Sequence, residues 1–241
     1  MILNSFNGGR RFITHGRRVF IILLLTLLLG ASCARPSALV SNDTAPPVYV
    51  AVGDSTGIGL GARDGGGYVA RLFARIERKR PGSTLVNLSA AGATAADAVD
   101  KQLPRLAGTR AALVTVCVGM NDLLRGREAK QFAEHYETLV AGLGQSGGRV
   151  VLVNLPDVAS APAMRGTADE SLRIRLGQFN KAIGDVARRH RLPLVDLYQL
   201  SGETTGTRPE FFSSDGLHPS DLGYARWAEA MWPAVAQAIE E

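Results

Sequence analysis

The chain has 241 residues, with 27 Lys+Arg against 22 Asp+Glu and a formal charge of +5. Four of the arginines (Arg10, Arg11, Arg17 and Arg18) fall in the first 32 residues, which hold no acid; without them the balance is 23 to 22, or about +1. The basic character is therefore concentrated at the N-terminus and does not advertise nucleic-acid binding, which needs a basic patch on the folded domain. Two cysteines, Cys33 and Cys117, give no disulfide framework, and no His/Cys cluster has the spacing of a zinc site, so no metal and no cofactor are expected.

Residues 1–34 read as an export segment. The arginines form a positive n-region, residues 19–29 an apolar run broken only by Thr26, and Gly30, Ala31, Ser32 and Ala34 a small-residue cleavage zone. A run of eleven residues is short for a bilayer core, which takes about 20, so a retained membrane anchor is the lesser reading. Arg17-Arg18 ahead of the run also allows a twin-arginine route, whereas its strong hydrophobicity suits general secretion. Cys33 resembles the lipid-attachment cysteine of bacterial lipoproteins, although Gly30 stands where that pattern has a large aliphatic residue and Leu29 comes one place early. Lipid attachment at Cys33 is the first reading; cleavage after Ala34 is its rival. Both put the protein outside the cytoplasm, at a bacterial cell envelope or secreted, with a membrane contacted only through Cys33. Residues 35–47, small, polar and proline-bearing, read as a tether. That leaves 48–241 as one domain, ample for a single core.

Five short apolar runs rich in Val and Leu follow, at 48–52, 84–88, 112–118, 149–155 and 192–196. Near-continuous apolarity of this kind marks strands buried on both faces of a parallel sheet. Between them, apolar residues recur at helical spacing over 68–80, 95–103, 128–143, 171–190 and 221–239. Alternation of strand and helix predicts an α/β fold, a parallel sheet covered by helices on both faces. Ligands in such sheets bind beyond the carboxyl ends of the strands.

Three segments at strand ends or in turns carry chemistry. Gly53-Asp54-Ser55 follows the first strand, where Gly53 is expected to supply the backbone angles of a sharp turn and Ser55 a hydroxyl that becomes nucleophilic only when a base takes its proton. Ser55 is equally a turn serine or the start of a phosphate-binding loop with Gly57, Gly59 and Gly61. No Gly-Lys-Ser/Thr follows, however, and the second strand ends without an acid for a ribose. His218 is the base candidate among four histidines: His15 lies in the leader, and His135 and His190 on predicted helices. Asp215, three residues before it, is close enough to orient the imidazole; the competing reading is a capping turn in which Asp215 and Ser220 satisfy backbone groups. Donors for a developing oxyanion would be the backbone N–H of Ser55, that of Gly92 after the second strand, and the side-chain amide of Asn121 after the third. Gly92 is otherwise a loop glycine, and Asn121 a turn residue with Asp122 capping the next helix. Cys117, inside an apolar run, reads as a small core residue. Phe211 and Phe212 either border an acyl pocket or belong to the core, and 198–214, rich in Gly, Ser and Thr, reads as a mobile rim.

Gly-Asp-Ser after the first strand, Gly92 after the second, Gly119-x-Asn121-Asp122 after the third and Asp215-x-x-His218 near the C-terminus together resemble the SGNH hydrolases, or GDSL-type esterases and lipases, in the family's own order over about 48–232. The resemblance implies a flavodoxin-like three-layer α/β/α sandwich with a five-stranded parallel sheet. It implies Ser55 as nucleophile, His218 as base, Asp215 as its orienter, and Ser55, Gly92 and Asn121 as oxyanion donors. It also implies cleavage of a small-molecule, lipid or glycan ester through an acyl-enzyme, without metal or cofactor. One departure is Thr56, where the family often has leucine; little catalytic consequence is expected from it, with a difference confined to the local pocket wall. The competing classes are a nucleotide- or flavin-binding module on the same architecture and a non-catalytic envelope protein.

Overall fold

The computed structural model describes residues 46–204 and 208–240; the export segment, Cys33 and all but the last two residues of the 35–47 tether lie outside them. Strands β1 (Val48–Gly53), β2 (Thr84–Asn87), β3 (Leu113–Cys117), β4 (Arg149–Val153) and β5 (Leu194–Val195) form one sheet in the order β2-β1-β3-β4-β5. Every pairing is parallel. The order reverses at β1: one crossover leads out to β2 and the next returns past β1 to β3. A reversal of this kind opens a crevice between β1 and β3 at their carboxyl ends. The register sets Gly53 opposite Cys117, so the chain leaves both strands at the same level.

Helices α2 (Tyr68–Lys79) and α8 (Asp221–Glu240) cover one face of the sheet, and α5 (Ala129–Leu143) and α6 (Glu170–His190) the other. The result is the expected three-layer sandwich. Each helix presents a buried stripe at three- and four-residue spacing: Tyr68, Val69, Leu72 and Ile76 on α2, Phe132, Tyr136, Leu139 and Leu143 on α5. Asp169 caps α6 by accepting from Leu172 N at 2.9 Å, and Arg191 ends it in the left-handed conformation with φ 54°.

Burial on both strand faces holds for β1, β3 and β4 but not for β2, whose residues are half-buried or exposed. β2 is an edge strand with one neighbour, and its Leu85 and Val86 are only partly buried against the two cores. The helix expected over 95–103 is also broken. Regular helix α3 (Ala95–Asp97) passes into a π turn (Ala98–Gln102) and a 3₁₀ turn (Leu103–Leu106). Pro104 lacks the N–H a regular helix would use and stands in the first turn of the 3₁₀ segment. The widened turn carries the buried Gln102 side chain to β1, where Nε2 donates to Gly53 O at 2.8 Å and Oε1 accepts from Gly53 N at 3.0 Å. The rim expected over 198–214 is partly helical as α7 (Leu197–Thr204), because Asp196 Oδ1 accepts from Gln199 N at 2.9 Å and Leu197 is buried against the α2/α8 core.

The expected role of Gly53 needs correction. It is not among the residues with positive φ; a Cβ there would lie 3.0 Å from both Cys117 O and Ser89 Oγ. Glycine is needed at this position for space. Gly119 is the position that needs an unusual angle: φ is 127°, and a Cβ would lie 2.7 Å from Phe132 Cε2, on a fully buried ring stacked against Phe179. We expect Gly119→Ala to cost about 2–4 kcal/mol of stability from backbone strain plus overpacking. Urea denaturation at neutral pH measures it, and a loss under 0.5 kcal/mol, roughly that of an ordinary surface change, would contradict this account.

Candidate active site

At the end of β1 the chain turns directly into the four-residue helix α1 (Ser55–Ile58). Asp54 caps it, Oδ1 accepting from Thr56 N at 3.0 Å and from Thr56 Oγ1 at 2.8 Å. Asp54 is buried, and burial pushes its carboxyl above the usual range, against the pull of the Thr56 bonds and of His218. The cap fixes the first turn of the helix and with it the side chain of Ser55. Ser55 Oγ lies 2.9 Å from His218 Nε2, across 163 residues of sequence.

His218 stands in a tight turn before α8, closed by Ser213 N donating to His218 O at 2.8 Å. Asp215 serves that turn with both oxygens. Oδ1 accepts from Ser213 Oγ at 2.8 Å, from Leu217 N at 2.8 Å and from His218 N at 2.9 Å, while Oδ2 meets His218 Nδ1 at 2.6 Å. Asp215 thus meets backbone groups through one oxygen and the imidazole through the other. Burial alone would raise its pKa; the hydrogen bonds from Leu217, His218 and Ser213 outweigh that and hold the carboxyl well below the usual range. An ionised carboxylate only accepts, so this network assigns the imidazole proton to Nδ1 and leaves the Nε2 lone pair facing the Ser55 hydroxyl.

The third component is the loop after β2. Gly92 has φ 74°. Helix α4 (Met120–Leu124), which follows Gly119, holds this loop at three points: Asn121 Nδ2 donates to Ala93 O at 3.0 Å, Arg125 Nη2 donates to Gly92 O at 2.9 Å, and Asp122 Oδ2 accepts from Ala95 N at 2.9 Å. Asp122 therefore binds the first turn of α3, whose N-cap is Thr94, and not the helix that follows it. Buried there, its carboxyl is pushed upward, with the Ala95 N–H opposing. One N–H of the Asn121 amide remains after the Ala93 bond, and the backbone N–H groups of Ser55 and Gly92 make no hydrogen bond among the described residues.

Ser55, Gly92, Asn121 and His218 line one cavity of about 240 Å³, walled mainly by apolar side chains that include both Phe211 and Phe212. Phe211 is also buried, so it belongs to the core as well as to the wall. Cys117 borders the same cavity from the end of β3, and burial pushes its thiol up to about 12. His190 is bonded to Glu137 on α5. Among the described residues, no group of three or more His, Cys, Asp or Glu is gathered to hold a metal. Nor is any helix among them long and apolar enough to cross a membrane.

Sequence reasoning named the hydroxyl, imidazole, acid and donors but missed the residues that hold them: Gln102 on Gly53, Arg125 on Gly92 and Ser213 on Asp215. Asp54 and Asp122 stand inside the recognised motifs, which was the available signal. Gln102 had none, since a single glutamine in a helical stretch reads as a surface residue.

A hydroxyl–imidazole–carboxylate relay at the switch point of a parallel sandwich is an arrangement suited to a hydrolase. The family model described as GDSL-like Lipase/Acylhydrolase matches residues 51–226, and the chain belongs to that family. Esterase TesA of Pseudomonas aeruginosa is 26% identical over 197 residues, 82% of this chain and 92% of that protein. A crystal structure of TesA aligns at a TM-score of 0.66 and 27% identity, covering 79% of this chain and 99% of that one. A lipase/acylhydrolase from Enterococcus faecalis shares the fold at a TM-score of 0.63 and 24% identity, over 80% of this chain and 96% of that one.

Because the folded-state pKa of Asp215 is depressed, its ionisation stabilises the fold above the unfolded value near 3.8, and that contribution is lost as pH falls towards the depressed value. Urea denaturation between about pH 4.5 and about pH 2.5 should give a stability gap between wild type and Asp215→Asn that shrinks as the pH falls through that range. A gap that widened on acidification would have the wrong sign.

Proposed function

We propose that the protein is a serine hydrolase of carboxylic esters working through an acyl-enzyme. The observation that carries this reading is the unbroken relay from Ser55 Oγ through His218 to Asp215 Oδ2, with contacts of 2.9 and 2.6 Å, opening onto an apolar cavity. His218 Nε2 takes the Ser55 proton as Oγ bonds to the ester carbonyl carbon. The carbonyl π pair moves onto oxygen, where the N–H groups of Ser55 and Gly92 and the Asn121 amide are the donors. Asp215 stabilises the imidazolium. The C–O bond breaks, and the alcohol leaves with the proton from Nε2. Water then attacks the acyl carbon, giving a proton to His218, and the acid departs as that proton returns to Ser55 Oγ.

The relation to a protein called an esterase supports the reaction class, with small-molecule, lipid or glycan esters as the substrates considered. A nucleotide-binding or non-catalytic module would give the Ser55–His218 contact no purpose. Residues 1–34 direct export, Cys33 carries a lipid, and 35–47 tether the catalytic domain 48–241; the sequence pattern supports this part. Cys33→Ala should then move the protein from the membrane fraction to the soluble fraction.

Ser55→Ala should lower turnover of p-nitrophenyl esters by roughly 10⁴-fold or more, and Asn121→Ala by about 10²–10³-fold. A fluorophosphonate probe should label wild type and not Ser55→Ala. Equal hydrolysis by purified wild type and Ser55→Ala would exclude the mechanism.

A further inference from the structure

Beyond Asn87 the chain stays bonded to β1 for only a few residues. Leu88 N donates to Ala51 O at 2.8 Å and Ala90 N to Gly53 O at 3.2 Å, as in a parallel ladder. The N–H of Gly53 leaves this pattern. It donates to Gln102 Oε1 at 3.0 Å, and Gln102 Nε2 donates in return to Gly53 O at 2.8 Å. A side-chain amide offers a carbonyl and N–H groups, as a peptide unit does. Gln102 therefore stands in for one peptide of a neighbouring strand. It does so where the chain after β2 turns off towards Gly92, two residues beyond Ala90.

Gln102 is buried and does not line the cavity. It ends the π turn Ala98–Gln102, and π turns are rare and recur at functional sites. The segment leading to it is fixed at its start by the capping box of Thr94 and Asp97 and by Ala95 N donating to Asp122 Oδ2 at 2.9 Å. At its end the amide grips Gly53, two residues before Ser55. The contact of 2.9 Å between Ser55 Oγ and His218 Nε2 depends on the path of the backbone over those two residues.

We propose that Gln102 is a positioning residue for the nucleophile. It holds the backbone of Gly53 where β2 no longer runs alongside, and so fixes Ser55 against His218 while the neighbouring loop departs to carry Gly92. The proposal rests on the esterase reading and adds to it a residue that touches no substrate. A displacement of about 1 Å at a reacting group costs on the order of 10²-fold in rate. The effect of Gln102 therefore belongs in kcat, whereas KM is set by a cavity it does not touch.

The test compares wild type with Gln102→Met, which matches the side chain in length without its amide, and with Val186→Ala, a truncation of a fully buried residue on α6. For each, kcat and KM for p-nitrophenyl acetate and the rate of fluorophosphonate labelling of Ser55 are measured well below the thermal midpoint. Gln102→Met should lower kcat and the labelling rate together by roughly 10²-fold and keep KM within about threefold of wild type. Val186→Ala should lose stability yet keep kcat within about twofold. If Gln102→Met does not fold, as read from its thermal unfolding, Gln102→Asn, whose amide stops one carbon short of Gly53, should lower kcat about tenfold or more at unchanged KM. A Gln102 variant with kcat within about threefold of wild type, a change confined to KM, or an equal loss of kcat in Val186→Ala overturns the positioning role while leaving the esterase reading intact. No turnover by wild type together with no labelling of Ser55 overturns the esterase reading, and the role of Gln102 with it.

Discussion

The parallel register that sets Gly53 beside Cys117 governs the arrangement of the site. Two central strands end side by side at the point where strand order reverses, so the segments leaving them diverge and open a crevice. Ser55 comes two residues after one strand end and Asn121 four residues after the other. A slip of one residue between β1 and β3 would move each side chain of a strand to the opposite, differently packed face of the sheet and remove the site with it. The heavy burial of both strands is what makes such a slip costly.

Around this junction the protein buries polar groups and satisfies most of them locally. Asp54 and Asp122 are both buried, and each binds a helix N-terminus, one at α1 and the other at α3. Gln102 binds both backbone groups of Gly53. The Asp54 bond is local, whereas the Asp122 and Gln102 bonds cross between segments far apart in the chain. A site built in this way is preorganised: Ser55, the Gly92 loop and the Asn121 amide are held in place by the fold, which is the kind of arrangement that makes electrostatic stabilisation effective. The same bonds explain why buried carboxylates are tolerated here, since each is matched by N–H or O–H donors.

Asp215 shows how one residue reconciles structure and chemistry. Three donors engage one oxygen and fix the turn, leaving the other for the imidazole. The bonds that make the turn rigid also keep the carboxylate charged, so the geometry of the loop and the tautomer of His218 have a common origin. Thr56 is a second case. Its hydroxyl reinforces the Asp54 cap, while its side chain lines the cavity beside Cys117.

Much of this was legible in the chain. Near-continuous Val and Leu in 48–52, 112–118 and 149–155 can only be buried on two faces, and alternation with helical periods then dictates a parallel sandwich. Ser55, Gly92, Asn121, Asp215 and His218 were visible because each sits at a strand end or in a turn with a chemically suited neighbour. The break at Pro104, the exposure of β2 and the helix at Leu197–Thr204 were not, because each depends on what lies across from the segment. The partnerships of Gln102, Arg125 and Ser213 were hidden for the same reason. Sequence by itself determined which side chains exist and which local period each segment follows. Tertiary structure alone decided that a hydroxyl and an imidazole 163 residues apart would stand at hydrogen-bonding distance, because that requires packing the helices on both faces of a sheet in one particular strand order.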